Sequence, residues 1–231
     1  PGDDDGLVVM ADVGGSENYQ LYRLDRTNGR SALLTDGEHR HPEMLVSRSG
    51  LLVYTGNARN GRDLDLYVAR PASDDGFSAG ELFLERSGDW HVLDVSRDGR
   101  RMLLQEYVSI LDARVYVVDV GSREVRRVSH EGSRTSSDRT AVFSADGSHA
   151  YVTSDRATDH VALYEVDLAH PDREWRALTQ NVPWDVEELS LSPDGHTLAF
   201  TANEDGISVL RLLDVRTRRT QSVEGLPRGV I

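Results

Sequence analysis

The stretch LSLSPDGHTLAFTANEDG, residues 189–206, alternates short apolar runs with two turns that end in Asp-Gly. Alternation of apolar and polar residues over about four to eight positions is typical of a β-strand with one buried face. Each Asp-Gly supplies the positive φ that a tight hairpin turn requires. The stretch therefore predicts two antiparallel hairpins that share the strand between the turns.

The first of these turns recurs along the chain at a nearly constant interval. Related Ser-x-x-Gly turns begin at Ser47, Ser96, Ser144 and Ser192, at intervals of 49, 48 and 48 residues. A second marker, an alternating run such as LYRLD from Leu21, recurs at spacings of 45, 49, 48 and 47 residues. Each unit holds four strands, labelled A to D in chain order. A four-stranded unit of this length is typical of a propeller blade.

The predicted fold is all-β: a β-propeller of four-stranded antiparallel blades, with about five blade units in one region over residues 1–231. We place the blades at 1–36, 37–86, 87–130, 131–180 and 181–226. The first unit begins at its A–B turn and lacks an A strand. Residues 227–231 are predicted to start a strand that either closes the five blades or begins a further blade. The second is favoured, because a closing strand of so few residues would pair poorly. A β-sandwich would not repeat one turn so regularly.

Composition excludes several classes of function. The formal net charge of −13 opposes a phosphate-binding surface, so we expect no nucleic-acid partner. The absence of cysteine removes disulfides, thiolate metal sites and cysteine nucleophiles. No apolar run approaches the length of a membrane span, and no signal peptide is visible, so we expect a cytoplasmic protein without a membrane partner. Because the first residue is Pro1, the true N-terminus could be missing.

No local motif in this chain predicts a catalytic or metal-binding site. The segment Gly14–Asn18 lacks the last Gly of a nucleophile elbow and lies between two strands, so it reads as a hairpin turn. His39 and His41 fall in a connection that contains Pro42, and we expect a solvated loop rather than a zinc site. The acidic run Asp3–Asp5 reads as a polar turn. We therefore expect no catalytic residue, no metal site and no cofactor.

The B–C turns are the candidate interaction surface, because blade geometry places all of them on one face. Some of their side chains would pair with a charged peptide end or contact a partner domain; exposed turns favour the same polar residues without any such role. Trp90 and Trp184, which both precede an A strand, are predicted to pack between blades with an acceptor for the indole N–H. The candidate loop residues are Glu17, Asn18, Arg59, Asp63, Arg156, Glu204 and Asp205.

Four segments carry a resemblance to a known family: residues 12–25, 56–68, 181–214 (NVPWDVEELSLSPDGHTLAFTANEDGISVLRLLD) and 225–231. Together they resemble the propeller of prolyl-oligopeptidase-family serine peptidases, the acylaminoacyl and dipeptidyl peptidase relatives, and the Ser-x-Asp-Gly turn is shared with TolB-like propellers. The resemblance implies a non-catalytic region that docks on an α/β-hydrolase domain absent from this chain and admits short peptides.

Two alternatives stay open. One is a stand-alone TolB-like scaffold that binds a protein partner through its loops. The other is a sugar-binding or lyase propeller, which would require a cluster of aromatic residues on the loop face; aromatics make up only 6% of the chain.

Overall fold

The computed structural model describes residues 6–72, 76–129, 135–227 and 229. Its regular structure in these ranges consists of β-strands that form five sheets, each an antiparallel meander of consecutive strands. The all-β prediction is confirmed. No helix in the described part of the chain is long and apolar enough to cross a membrane.

Among the described residues the first sheet has three strands and the other four have four each, as predicted for a first blade unit without an A strand. The first sheet contains β1 (Gly6–Ala11), β2 (Gln20–Asp25) and β3 (Ser31–Leu33). The second contains β4 (Met44–Val46), β5 (Leu52–Gly56), β6 (Asp65–Ala69) and β7 (Glu81–Leu84). The third contains β8 (Asp89–Val95), β9 (Arg101–Ser109), β10 (Asp112–Asp119) and β11 (Val125–Arg127).

The fourth sheet contains β12 (Asp138–Phe143), β13 (His149–Ser154), β14 (Ala162–Asp167) and β15 (Arg176–Ala177). The fifth contains β16 (Val186–Leu191), β17 (Thr197–Glu204), β18 (Ile207–Asp214) and β19 (Thr220–Ser222). The chain divides into two compact units. One comprises residues up to Tyr107 together with Val118–Glu124, and the other comprises Val108–Val117 together with the residues from Val125 onward.

The repeated A–B turn is held by a small hydrogen-bond network that its residue types dictate. In the third sheet, the Ser96 hydroxyl donates to Asp98 Oδ1 at 2.7 Å and accepts from Arg101 N at 2.9 Å. Gly99 N donates to the Ser96 carbonyl at 2.8 Å, and Gly99 has a φ of 68°. The same three bonds recur in the turns that start at Ser144 and Ser192. Each turn is therefore specified by its own short sequence.

The turns between strands C and D have their own repeated feature. The aspartate that ends strand C accepts backbone N–H groups from the residues that follow it, as an Asx turn does. Asp119 Oδ1, for example, accepts from Gly121 N at 3.0 Å and Ser122 N at 2.7 Å. The equivalent positions are Asp25, Asp167 and Asp214.

Apolar side chains from consecutive sheets form the core of each unit. In one unit, Leu21 of the first sheet is buried with Leu52, Tyr54 and Ala69 of the second. In the other unit, Phe200 is the largest of the fully buried side chains, in a cluster contributed by the fourth and fifth sheets. That cluster contains Tyr151, Leu163, Leu178, Val186, Leu198, Phe200 and Leu213.

Backbone bonds also link each sheet to the segment that leads into the next one. His41 N donates to the Tyr19 carbonyl at 2.9 Å, and Val186 N donates to the Val161 carbonyl at 2.9 Å. In the fifth sheet, Ser208 N donates to the carbonyl of Gly229 at 3.0 Å. Gly229 therefore lies beside the start of a C strand, as the lead-in segments do elsewhere. Whether residues 227–231 begin another strand stays a prediction.

Candidate binding cleft

Arg59 and Asp63, both predicted to lie on the loop face, belong to one ion-pair network. The Arg59 guanidinium donates from Nε to Asp65 Oδ2 at 2.8 Å and from Nη2 to the Arg86 carbonyl at 2.9 Å. Asp65 is fully buried. Hydrogen bonds from Arg62 and Asn60 hold the pKa of Asp63 well below its usual range. These side chains fasten the loop after β5 to the segment before β8.

Glu17 and Asn18 lie in the turn between β1 and β2. Glu17 adopts a φ of 56°, and its backbone N–H donates to Asp12 Oδ2 at 2.8 Å. The Asn18 amide donates to the carbonyl of Glu38 at 3.0 Å. The carboxylate of Glu17 is exposed, whereas the Asn18 side chain is used to tie this turn to the next connection.

Glu204 and Asp205 lie at the hairpin between β17 and β18. Asp205 and Gly206 have φ values of 54° and 81°, as a two-residue turn with both central φ angles positive requires. Glu204 forms an ion pair with Arg211. Asp205 therefore has a conformational role in this hairpin, and the positive φ predicted from the Asp-Gly pair is confirmed.

Arg156 is the predicted loop residue that borders a cleft. Its guanidinium carbon lies 4.1 Å from the centre of the Trp175 ring, in a cation–π contact. The Nη1 atom is buried and has no hydrogen-bond partner among the described residues. Burial lowers the pKa of Arg156, while the nearby acidic groups of Asp138 and Glu174 act in the opposite direction. The side chain remains charged, because an arginine does not deprotonate in proteins.

The cleft has a volume of about 750 Å³ and belongs to the fourth sheet. It is bordered by the loop after β13, the start of β14, and β15 with the residues around it. Its floor includes the rings of Tyr164 and Trp175, whose centres lie 6.1 Å apart in an edge-to-face arrangement. The ionisable and amide side chains that line it are Arg156, His160, Glu174, Arg176 and Gln180. Arg156 and Arg176 bring positive charge to this lining and Glu174 brings negative charge, and Arg176 also forms an ion pair with Glu165 at 3.8 Å.

Trp175 is the main residue of the cleft that the sequence predictions missed. Its ring is buried, and the indole N–H donates to the Pro171 carbonyl at 3.2 Å. The sequence predicted packing for Trp90 and Trp184 instead, because they share a position in their units. Burial and an acceptor for the indole N–H are confirmed for Trp90, which donates to the Ser87 carbonyl at 3.0 Å and lies within β8 rather than before it. Trp184 is 37% exposed and does not fit the packing prediction.

The prediction of a solvated loop for both histidines is wrong for His41. His41 is buried, and its ring lies edge-on to Tyr54 and Tyr67 at centre distances of 5.4 and 6.1 Å. Its Nδ1 is 3.2 Å from the Thr55 carbonyl. Burial lowers the pKa of His41. No cluster of three or more metal-ligating side chains occurs in the described ranges; Asp3–Asp5 lie outside them.

The end of β9 and the turn before β10 present an exposed apolar surface. Val108, Ile110 and Leu111 are 50, 70 and 68% exposed. Three aliphatic side chains within four positions at a hairpin tip differ from the polar composition usual in such turns. We call these three residues the apolar tip.

Comparison with solved structures finds the same fold in several proteins of unlike function. A putative TolB from Agrobacterium tumefaciens matches 96% of this chain at 16% identity with a TM-score of 0.71, and the chain spans 78% of that protein. A prolyl endopeptidase matches 98% of the chain at 15% identity with a TM-score of 0.59. An oligogalacturonate lyase from Vibrio parahaemolyticus matches 96% at 14% identity with a TM-score of 0.67.

These similarities establish the β-propeller fold, and at such identities they establish the fold alone. The chain spans 42% of the prolyl endopeptidase and 63% of the lyase. No protein-family model and no curated protein matches the sequence. The predicted resemblance to TolB-like and prolyl-oligopeptidase propellers is thus confirmed in the fold.

Proposed function

We propose that this chain is the non-catalytic propeller region of a prolyl-oligopeptidase-family serine peptidase, which docks on an α/β-hydrolase domain and admits short peptides to it. The apolar tip carries the proposal. Val108, Ile110 and Leu111 expose aliphatic surface at the end of a hairpin, where contact with another protein surface would remove it from water. The match to a prolyl endopeptidase over 98% of this chain, but 42% of that protein, supports a partner of this kind.

The intact gene product provides the test. We expect its reading frame to continue into a Gly-x-Ser-x-Gly segment. We expect the product to react with a fluorophosphonate probe and to hydrolyse a short aminoacyl anilide much faster than casein. The chain of residues 1–231 alone should show neither reaction. A product without fluorophosphonate reactivity would refute the proposal.

A triple substitution of the apolar tip by serine tests docking separately. In the intact product it should increase tryptic cleavage between the two domains, because docking buries the tip. Val13→Ser is the matched control, since Val13 is an apolar residue of the β1–β2 turn and is 78% exposed. Equal cleavage of the triple variant and the control would contradict docking through the tip.

A stand-alone TolB-like scaffold is the second candidate. The match to the Agrobacterium TolB favours it, because the chain spans 78% of that protein. A stop codon that follows residue 231 directly would favour the scaffold. In that case the apolar tip would be the expected surface for its protein partner.

A further inference from the structure

The cleft contains the Arg156 guanidinium, whose buried Nη1 lacks a hydrogen-bond acceptor among the described residues. A guanidinium removed from water loses hydration, and the loss is offset only if acceptors replace it. Asp138 and Glu174 lie near enough to act on Arg156 by charge, but its buried Nη1 has no partner in the described part of the chain. A ligand that brings an acceptor to the side of the guanidinium that lines the cleft would offset part of this lost hydration.

The Trp175 contact fixes the guanidinium in advance. The guanidinium lies over one face of the indole at 4.1 Å, and the indole is held by its own bond to the Pro171 carbonyl. Stacking on a ring occupies the face of a guanidinium and leaves its edges for hydrogen bonds, and a carboxylate can match one such edge with two parallel bonds. Such a fixed donor loses little conformational entropy when a ligand binds.

The remainder of the cleft suits a short peptide. Its volume of about 750 Å³ lies within the range of small-ligand sites. Among the described strands, β15 is the outermost of its sheet, and it borders the cleft through Arg176 and Ala177. An edge strand offers backbone groups to an extended peptide. The Gln180 side chain adds both a donor and an acceptor to the lining.

We propose that this cleft binds the C-terminal carboxylate of a short peptide, with Arg156 as the carboxylate-binding residue and Trp175 as the residue that positions it. The site takes a free acid and discriminates against a C-terminal amide, which carries no charge. This role is independent of the apolar tip and of any hydrolase domain.

Isothermal titration with residues 1–231 tests the proposal directly. The probes are N-acetyl-trialanine as the free acid, the same peptide as its C-terminal amide, and glucuronate, which carries a carboxylate on a sugar ring. We expect saturable binding of the acid and at least about tenfold weaker binding of the amide, as the loss of a charge-assisted hydrogen bond predicts. This comparison needs no variant protein.

Variants locate the site. Arg156→Gln should weaken binding of the acid by roughly tenfold to a hundredfold. The affinity of Arg156→Lys should lie between those of wild type and Arg156→Gln, because lysine keeps the charge but loses the planar fork of donors. Arg26→Gln is the matched control, since it removes the same charge from an exposed turn of the other unit. Far-UV circular dichroism of each variant verifies folding.

Three results would overturn the proposal: no saturation by the acid up to about 10 mM, equal binding of acid and amide, or unchanged binding by a folded Arg156→Gln variant. Glucuronate binding as tight as that of the acid would overturn the assignment to a peptide. Because the titration uses the propeller chain alone, its failure leaves the docking proposal untouched, and the reverse also holds.

Discussion

Replacing Gly99 by alanine tests the turn that repeats through the chain. Gly99 has a φ of 68°, a region in which an L-residue costs roughly 1–2 kcal/mol. A Cβ added there would lie 2.7 Å from Ser49 Oγ and 2.9 Å from Ser49 Cβ, in the equivalent turn of the preceding sheet. Overpacking of this kind costs about 1–3 kcal/mol more. The expected loss of unfolding free energy is therefore about 2–5 kcal/mol.

Gly206 supplies the matched control. It also has a positive φ, 81°, but an added Cβ would meet nothing within 4 Å. Gly206→Ala should therefore lose only the conformational part, roughly 1–2 kcal/mol. Urea unfolding followed by far-UV circular dichroism gives both free energies by linear extrapolation.

A double-mutant cycle isolates the contact between the two turns. Ser49→Gly removes both crowding atoms, although it also loses the bond between the Ser47 and Ser49 hydroxyls at 2.8 Å. In the double variant, the loss of unfolding free energy caused by Gly99→Ala should fall to the loss caused by Gly206→Ala. The coupling energy between Ser49 and Gly99 should therefore be about 1–3 kcal/mol. Equal losses for the two single alanine variants, or a coupling energy near zero, would refute the reasoning.

Three further predictions follow from packing and charge. Phe200→Ala should lower the unfolding free energy by about 3–5 kcal/mol in the same urea assay, because the ring is fully buried; a loss below about 1 kcal/mol would contradict this packing. A hydrogen bond with Glu43 raises the pKa of His91, so the stability from that pair is complete below about pH 6.5 and is lost as the pH rises through the folded-state pKa. The melting temperature of wild type minus that of Glu43→Gln should therefore shrink from pH 6 to pH 9, and a constant difference would contradict the assignment. Asp65→Asn should lower the urea midpoint, because it removes the charge paired with Arg59, and should leave binding of the acid peptide unchanged.

The strand order could be predicted because its causes are local. Ser96, Asp98 and Gly99 bond to one another within a few residues, so the turn forms from its own sequence wherever it recurs. Asp205 and Gly206 fix their hairpin in the same way. The three-stranded first sheet in the described part of the chain could be predicted too, because the other repeat units showed which strands a complete unit contains.

The use of each charged side chain could not be predicted in the same way. Arg59 and Arg156 both lie in B–C turns and look equivalent in sequence. Arg59 is bonded to Asp65 and to the carbonyl of Arg86, 27 positions away. Arg156 instead lies over Trp175 and leaves Nη1 without a partner among the described residues. The burial of His41 between Tyr54 and Tyr67 was missed for the same reason.

The sequence by itself determined that this protein is a series of antiparallel sheets built from one four-strand repeat, because the turns that define each sheet depend on neighbours within about five residues. Only the tertiary structure decided which polar groups hold the fold together and which buried polar atoms are left without a partner among the described residues. That distinction depends on distances between segments far apart in the chain, and residue type alone does not encode them.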